Sequence, residues 1–187
     1  EERTVELDIK NFLQLGSQIL AAGRTDKLVS AVSQVVNIVT SGEMTSEEIL
    51  RRLQEAEPAQ TGRVVFYDCV RTPRSFNSRG CATWRRYLYL VPLEGPAAAE
   101  LSVDYVNKVF QHVEGKELPY NAFAFGEMRN KGNGLLDLCT LYRSRAFEVR
   151  VPLADGDYEG VPVMCVELVG TRFLRRMVRL LVGTAVQ

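Results

Sequence analysis

The sequence predicts an α+β chain built on a largely antiparallel sheet. Two observations carry that expectation. Segments with helical spacing of apolar residues alternate with short β-branched or aromatic runs, and several of those runs are joined by hairpin-like, turn-rich connections. A third sets the scale: 187 residues, 46% of them apolar, suffice for one domain or for two small ones sharing a sheet. No stretch approaches the roughly eighteen apolar residues of a membrane span, so no membrane partner is expected.

Thr4 to Leu15 places Val5, Ile9, Phe12 and Leu13 at near-helical spacing, with Gly16 as its stop. Gln18 to Ala22 reads as a strand, and Ser33 to Thr40 as a second one, β-branched and partly alternating. Thr45-Ser46-Glu47-Glu48 fits a capping box, and Ile49, Leu50 and Leu53 give the following helix an apolar side that Pro58 should close. Arg63 to Val70 is expected to be a strand. The Arg71-Thr72-Pro73 turn behind it is the strongest internal boundary, dividing the chain into halves 1–72 and 73–187.

Thr83 to Leu93 is aromatic and β-rich, bounded by Pro92 and Gly95-Pro96. Ser102 or Asp104 can cap a helix carrying Val106, Val109, Phe110 and Val113 at i, i+3, i+4, i+7, with Gly115 as its end. Leu138 to Val151 and Val161 to Val169 read as long strands on either side of a turn at Ala154 to Asp157. Thr171 to about Val186 reads as a terminal helix. No repeat or low-complexity segment interrupts this order.

Formal charge is zero, but its distribution is uneven. Arg71 to Arg86 holds five arginines and no acid, and Arg172 to Arg179 holds four and no acid. A neutral chain arranged so can present one basic face. The four cysteines, Cys69, Cys81, Cys139 and Cys165, never form a Cys-x-x-Cys pair, and His112 is the single histidine. No metal site and no cofactor are therefore expected; reduced thiols and an intracellular setting are. The N-terminus opens no signal-peptide pattern.

Three stretches bear on chemistry. In extended backbone Arg24 and Asp26 project to one side, and an arginine beside a carboxylate keeps it ionised, as a nucleophile or electrostatic catalyst requires. A strand-end ion pair that merely fixes a turn has the same spacing. Tyr87 and Tyr89 share a strand face opposite Arg86 and Leu88; a tyrosine there can stack on a base and hydrogen-bond, or simply fill an amphipathic strand. Arg172, Arg175, Arg176 and Arg179 fall on one helical stripe behind an apolar face of Phe173, Leu174, Met177 and Leu181. Without acidic i+4 partners that stripe suits phosphates more than a solvated surface.

The wording of these stretches, Gly23-Arg24-Thr25-Asp26-Lys27-Leu28-Val29-Ser30-Ala31, Ser75-Phe76-Asn77-Ser78-Arg79 through Arg85-Arg86-Tyr87-Leu88-Tyr89, and Gly170 to Thr184 with its Phe-Leu-x-x-Met-Val-Arg, resembles the TruA family of tRNA pseudouridine synthases. The resemblance implies two α/β halves flanked by helices, with a shared sheet and an active-site cleft between them. It implies Asp26 as the catalytic residue, Tyr87 packing on the target base, and Arg179 pairing with Asp26. Arg24 would take the space of the flipped nucleotide or contact its phosphate. Lys27, Arg79, Arg85, Arg86, Arg172, Arg175 and Arg176 would bind RNA. The implied partners are tRNA and a second copy in a homodimer, with no cofactor. A non-catalytic RNA-binding or chaperone-like relative is the alternative expectation. The sequence departs from the family at Leu28, where glycine is usual. It also opens at what reads as the first helix, without the family's preceding strand, stops just after Gly183-Thr184, and is short in loops such as Gly126 to Leu135. A trimmed core or a reduced member is expected from these departures.

Overall fold

A computed structural model describes residues 19–39, 44–95, 101–125, 138–153 and 159–187. The expected helix over Thr4 to Leu15 and the turn at Ala154 to Asp157 lie outside the described residues. The chain divides into two compact units between Ala82 and Thr83. The described elements are mixed α and β, every strand pair is antiparallel, and the strands form one two-stranded and one four-stranded arrangement.

In the first unit, β1 (Ile19–Ala21) pairs with β2 (Val36–Ile38) in a short ladder, Ile19 facing Ile38 and Ala21 facing Val36. Helix α1 (Ser46–Glu55) starts at Thr45, whose side chain accepts from the Glu48 N–H, as the capping box predicts. Its Leu53 is 6% exposed and packs with Ile49, Ile19, Ile38 and Phe66, so one helix face closes over the ladder. Pro58 does not close this helix. α1 has already ended at Glu55, and Pro58 lies in the first turn of a separate short helix, α2 (Glu57–Gln60), where its missing N–H costs nothing. Nor is 63–70 a strand. It alternates like one, with Phe66 turned to Leu53 and Val65 and Tyr67 outward, but it sits in no ladder of the described residues.

The second unit holds the larger core. Its sheet runs in the order β3 (Arg85–Pro92), β6 (Val161–Gly170), β5 (Leu138–Val151), β4 (Glu117–Pro119). Met164, Val166 and Leu168 of the central strand are fully buried. They pack in one cluster with Val106 and Phe110 of α4 and with Met177, Leu181 and Val182 of α5. Helix α4 (Val103–Gln111) is capped by Ser102 rather than Asp104: the hydroxyl accepts from the Tyr105 N–H. Beyond Thr140 the Leu141 carbonyl accepts from the Gly115 N–H, and side chains then serve the outer edge of β5 at Ser144 and Ala146. Asn107 donates to the Ala146 carbonyl at 3.0 Å and accepts from the Ala146 N–H at 2.7 Å, and Glu114 accepts from the Ser144 N–H at 2.6 Å. Asn107 of α4 and Glu114 just past its end thus take the place of a neighbouring strand.

The terminal helix α5 spans Met177–Ala185, not Thr171 onward. The helical spacing of 171–176 is overridden by hydrogen bonds made elsewhere. Thr171 N–H donates to the Thr140 carbonyl and the Thr171 hydroxyl accepts from the Thr140 N–H, while the Arg175 carbonyl accepts from the Phe125 N–H. Arg176 precedes the helix at φ 61°. Arg172, Arg175 and Arg176 therefore do not share a helical stripe with Arg179.

Candidate active site

The first unit carries the Gly-Arg-Thr-Asp loop between β1 and β2. The ladder continues one step past β1, with Ala22 N–H donating to the Val35 carbonyl, and is then extended by a side chain: Gln34 donates through Nε2 to the Gly23 carbonyl at 2.9 Å and accepts from the Gly23 N–H. This double contact holds the backbone at the root of the loop, where Arg24 is exposed and Asp26 half-buried. Arg24 and Asp26 stand in irregular loop just beyond the strand rather than on its end.

The Asp26 carbonyl accepts from the Val29 N–H, closing a four-residue turn with Lys27 and Leu28 at its centre. Leu28 occupies the third position with φ 65° and is 81% exposed. That is the turn position at which glycine is favoured, because a Cβ there meets the following carbonyl oxygen. The departure expected at Leu28 is thus a backbone strain two residues from Asp26.

The first part of the second motif packs against the same ladder. Asn77 caps the short helix α3 (Ser78–Cys81) by accepting from the Arg79 and Gly80 N–H groups. Ser78 then donates its hydroxyl to the Leu20 carbonyl at 2.8 Å and its N–H to Asn37 Oδ1 at 3.0 Å. Arg79 is carried on an element fixed to both strands that flank the Asp26 loop.

In the second unit the remainder of that motif meets the third. Arg85 of β3 is paired with Gly170 of β6, and its Nη1 donates to the Thr171 carbonyl at 2.8 Å. Gly170 is required by space: a Cβ there would lie 2.9 Å from the Thr140 carbonyl oxygen. The close approach brings Phe173 edge-on to Tyr87, ring centroids 4.8 Å apart and planes inclined by 70°. Arg179 is exposed on α5, near the end of the helix that buries Met177. Arg175 and Arg176 flank the half-exposed Phe125 ring at 5.5 and 4.1 Å, and Arg172 is half-buried.

Sequence reasoning missed Glu167. It is 1% exposed, yet it sits on the sheet face opposite α4 and α5, since its neighbours Val166 and Leu168 face the core. Arg86 reaches it at 2.7 Å, Arg145 at 2.8 Å and Arg143 at 3.7 Å. Burial alone would raise its carboxyl, but the Arg145 hydrogen bond and the charges of Arg145, Arg86 and Arg143 outweigh that and hold it below the ordinary 4.5. The available signal was a lone acid inside the apolar run Val161 to Val169.

No protein-family model matches the chain. It is similar along nearly its whole length to curated proteins named tRNA pseudouridine synthase A. With that of Roseiflexus castenholzii it shares 28% identity over 91% of this chain and 61% of the relative. With that of Chlorobium phaeovibrioides it shares 28% over 96% and 70%, and with that of Aquifex aeolicus 25% over 99% and 75%. The chain thus spans between 61% and 75% of the length of these relatives. Similarity sustained across nearly the whole chain, at 25–28% identity, supports a divergent relative of these tRNA pseudouridine synthase A proteins, the TruA family.

Proposed function

We propose that the chain isomerises uridine to pseudouridine in tRNA, with Asp26 as its catalytic residue. The observation that carries this reading is the near full-length similarity to proteins named tRNA pseudouridine synthase A. The reaction breaks the uracil–ribose C–N bond and, after the base turns, forms a bond from C5 to the same sugar carbon; the C5 hydrogen leaves as a proton and N1 gains one. No electron or group is supplied from outside, so no cofactor is called for.

The target uridine must leave the stack before an enzyme can reach it. In the proposed mechanism Arg24 fills the vacated space or holds the flipped nucleotide's phosphate, and Asp26 engages the nucleoside. Tyr87 stacks on the base, and Arg179 keeps Asp26 charged and oriented. The anchored root of the Asp26 loop and the Phe173 ring that fixes one edge of Tyr87 support these roles, because catalytic groups work best when held still. Lys27, Arg79, Arg85, Arg86, Arg172, Arg175 and Arg176 supply backbone contacts. The halves 1–72 and 73–187 flank the cleft of a pseudouridine synthase fold, and the working form is an intracellular homodimer.

The test is tritium release from tRNA transcripts labelled at uracil C5. Wild type should release tritium and Asp26→Ala should release none above background. Tight tRNA binding without release by wild type would replace this reading with the non-catalytic one. Release that survives Asp26→Ala would overturn the mechanism.

A further inference from the structure

Glu167 gathers more positive charge than a carboxylate needs. A buried carboxylate requires hydrogen-bonded partners, and one or two guanidiniums satisfy it. Here three arginines from the two strands flanking β6 share one acid, leaving a surplus of two positive charges. Arg143, at 3.7 Å, is too far for a hydrogen bond, yet it stands beside two other cations. Each of the three is still about half exposed, at 52–54%. Arg86 and Arg145 approach Glu167 with Nε, so this contact does not occupy the Nη pairs that grip phosphate oxygens.

The register lays these groups out in rows. Arg86, Val169 and Arg143 form one row, Leu88, Glu167 and Arg145 the next, and Leu90, Cys165 and Phe147 the third. One face therefore grades from a basic end to an apolar one, where Leu88 and Leu90 are about half exposed and Arg145 lies over the Phe147 ring at 5.7 Å. A β-bulge produces the arrangement. The register shifts between Leu141 and Arg143, so burial changes from Cys139 and Leu141 to Ser144 and Ala146, and Arg143 and Arg145 turn onto the face of Glu167.

We propose that Arg86, Arg143 and Arg145 form a phosphate-binding face for the RNA backbone and that Glu167 is its positioning residue. The proposal rests on the tRNA reading above and adds Arg143, Arg145 and Glu167 to it. RNA fits a face with fixed positive charge beside exposed aliphatic and aromatic side chains, which accept ribose and base surfaces. Glu167 acts by fixing the three guanidiniums before RNA arrives, which cuts the ordering cost of binding.

The experiment is tRNA affinity across a salt series, with tritium release measured in parallel, for the full chain and three variants. The double variant Arg143→Gln/Arg145→Gln changes only exposed side chains and leaves Glu167 paired with Arg86. It should weaken binding by about tenfold or more and reduce the slope of log affinity against log salt by about one per arginine, with KM rising more than kcat falls. Glu167→Gln separates positioning from plain charge: removing an acid should tighten RNA binding if only net charge matters, and weaken it if the arginines lose their anchor. Glu167→Asp should restore part of the affinity, and far-UV circular dichroism checks that each variant is folded. Unchanged affinity and slope in the double variant would overturn the proposal, leaving a structural ion-pair cluster. Tighter binding by Glu167→Gln would overturn the positioning role. A wild type that binds no tRNA would overturn both this proposal and the function it rests on, whereas one that binds without tritium release would sink the synthase reading alone.

Discussion

The two units solve the problem of burying apolar surface very differently. In the second, fifteen buried residues among those described form one cluster, and the central strand is buried over most of its length. In the first, among the described residues, the cluster has Leu53 as its buried member, with Ile19, Ile38, Ile49 and Phe66 partly covered around it. The same unit leaves Val32 86%, Tyr67 74% and Val70 69% exposed. Among the described residues, the unit that carries Asp26 is thus held by capping, by the Gln34 and Ser78 hydrogen bonds and by one short ladder. A loop so held opens more readily than a strand in a core.

The largest expected effect tests the strong side of this contrast. Met177 is fully buried, and Met177→Ala should cost about 3 kcal/mol in urea unfolding, because the cavity lies at the centre of the main cluster. Leu53→Ala should cost about 2 kcal/mol. Its effect should be local: hydrogen exchange is expected to quicken in β1, β2 and α1 while β6 keeps its protection. Equal loss of protection in both units would remove the contrast.

A smaller and opposite effect is expected at Leu28. Left-handed backbone costs a branched residue about 1–2 kcal/mol, and glycine returns part of that through its greater unfolded-state freedom. Leu28→Gly should therefore stabilise the chain by about 1 kcal/mol or less and, on the proposed function, raise the rate of tritium release. A destabilised Leu28→Gly would show that the turn relies on the leucine side chain.

The smallest effect at neutral pH belongs to the second unit. The Tyr120 hydroxyl is buried and has no hydrogen-bond partner among the described residues. Burial, with a lesser push from Cys139, raises its pKa from 10.0 to about 12. A raised value means the neutral phenol is favoured by folding, so this contribution is complete below pH 10 and is lost as pH climbs towards 12. Tyr120→Phe should shift stability at pH 7 by no more than about 0.5 kcal/mol, since no bond is lost, and should flatten the alkaline fall seen in wild type.

The fold was most legible where local signal and tertiary need agree. The alternation and β-branching of 138–151 and 161–169 place β5 and β6 to within a residue, and Thr45 caps its helix as expected. Legibility failed where distant partners took over the backbone. Residues 171–176 have helical spacing, but Thr140 and Phe125 claim their hydrogen bonds. Residues 63–70 have strand spacing without a neighbouring strand in the described ladders. At the candidate site the motif wording singled out the Asp26 loop and the glycine-like demand at Leu28. Nothing local to Val161–Val169 could reveal that Glu167 meets arginines from β3 and β5, because that depends on strand order and on a one-residue bulge.

Asn107 and Glu114 also bear on how the protein behaves when crowded. Both occupy the edge of β5 with side chains, but Asn107 sits on α4 while Glu114 lies past the helix end, bridged to Leu141, so a tilt of α4 would withdraw Asn107 while the strand itself stayed intact. The uncovered edge would offer unpaired N–H and C=O groups next to Phe147 and Val149, a template on which another extended chain could assemble. An Asn107 substitution, on the nine-residue helix, is therefore expected to appear as loss of monodisperse protein in size-exclusion chromatography.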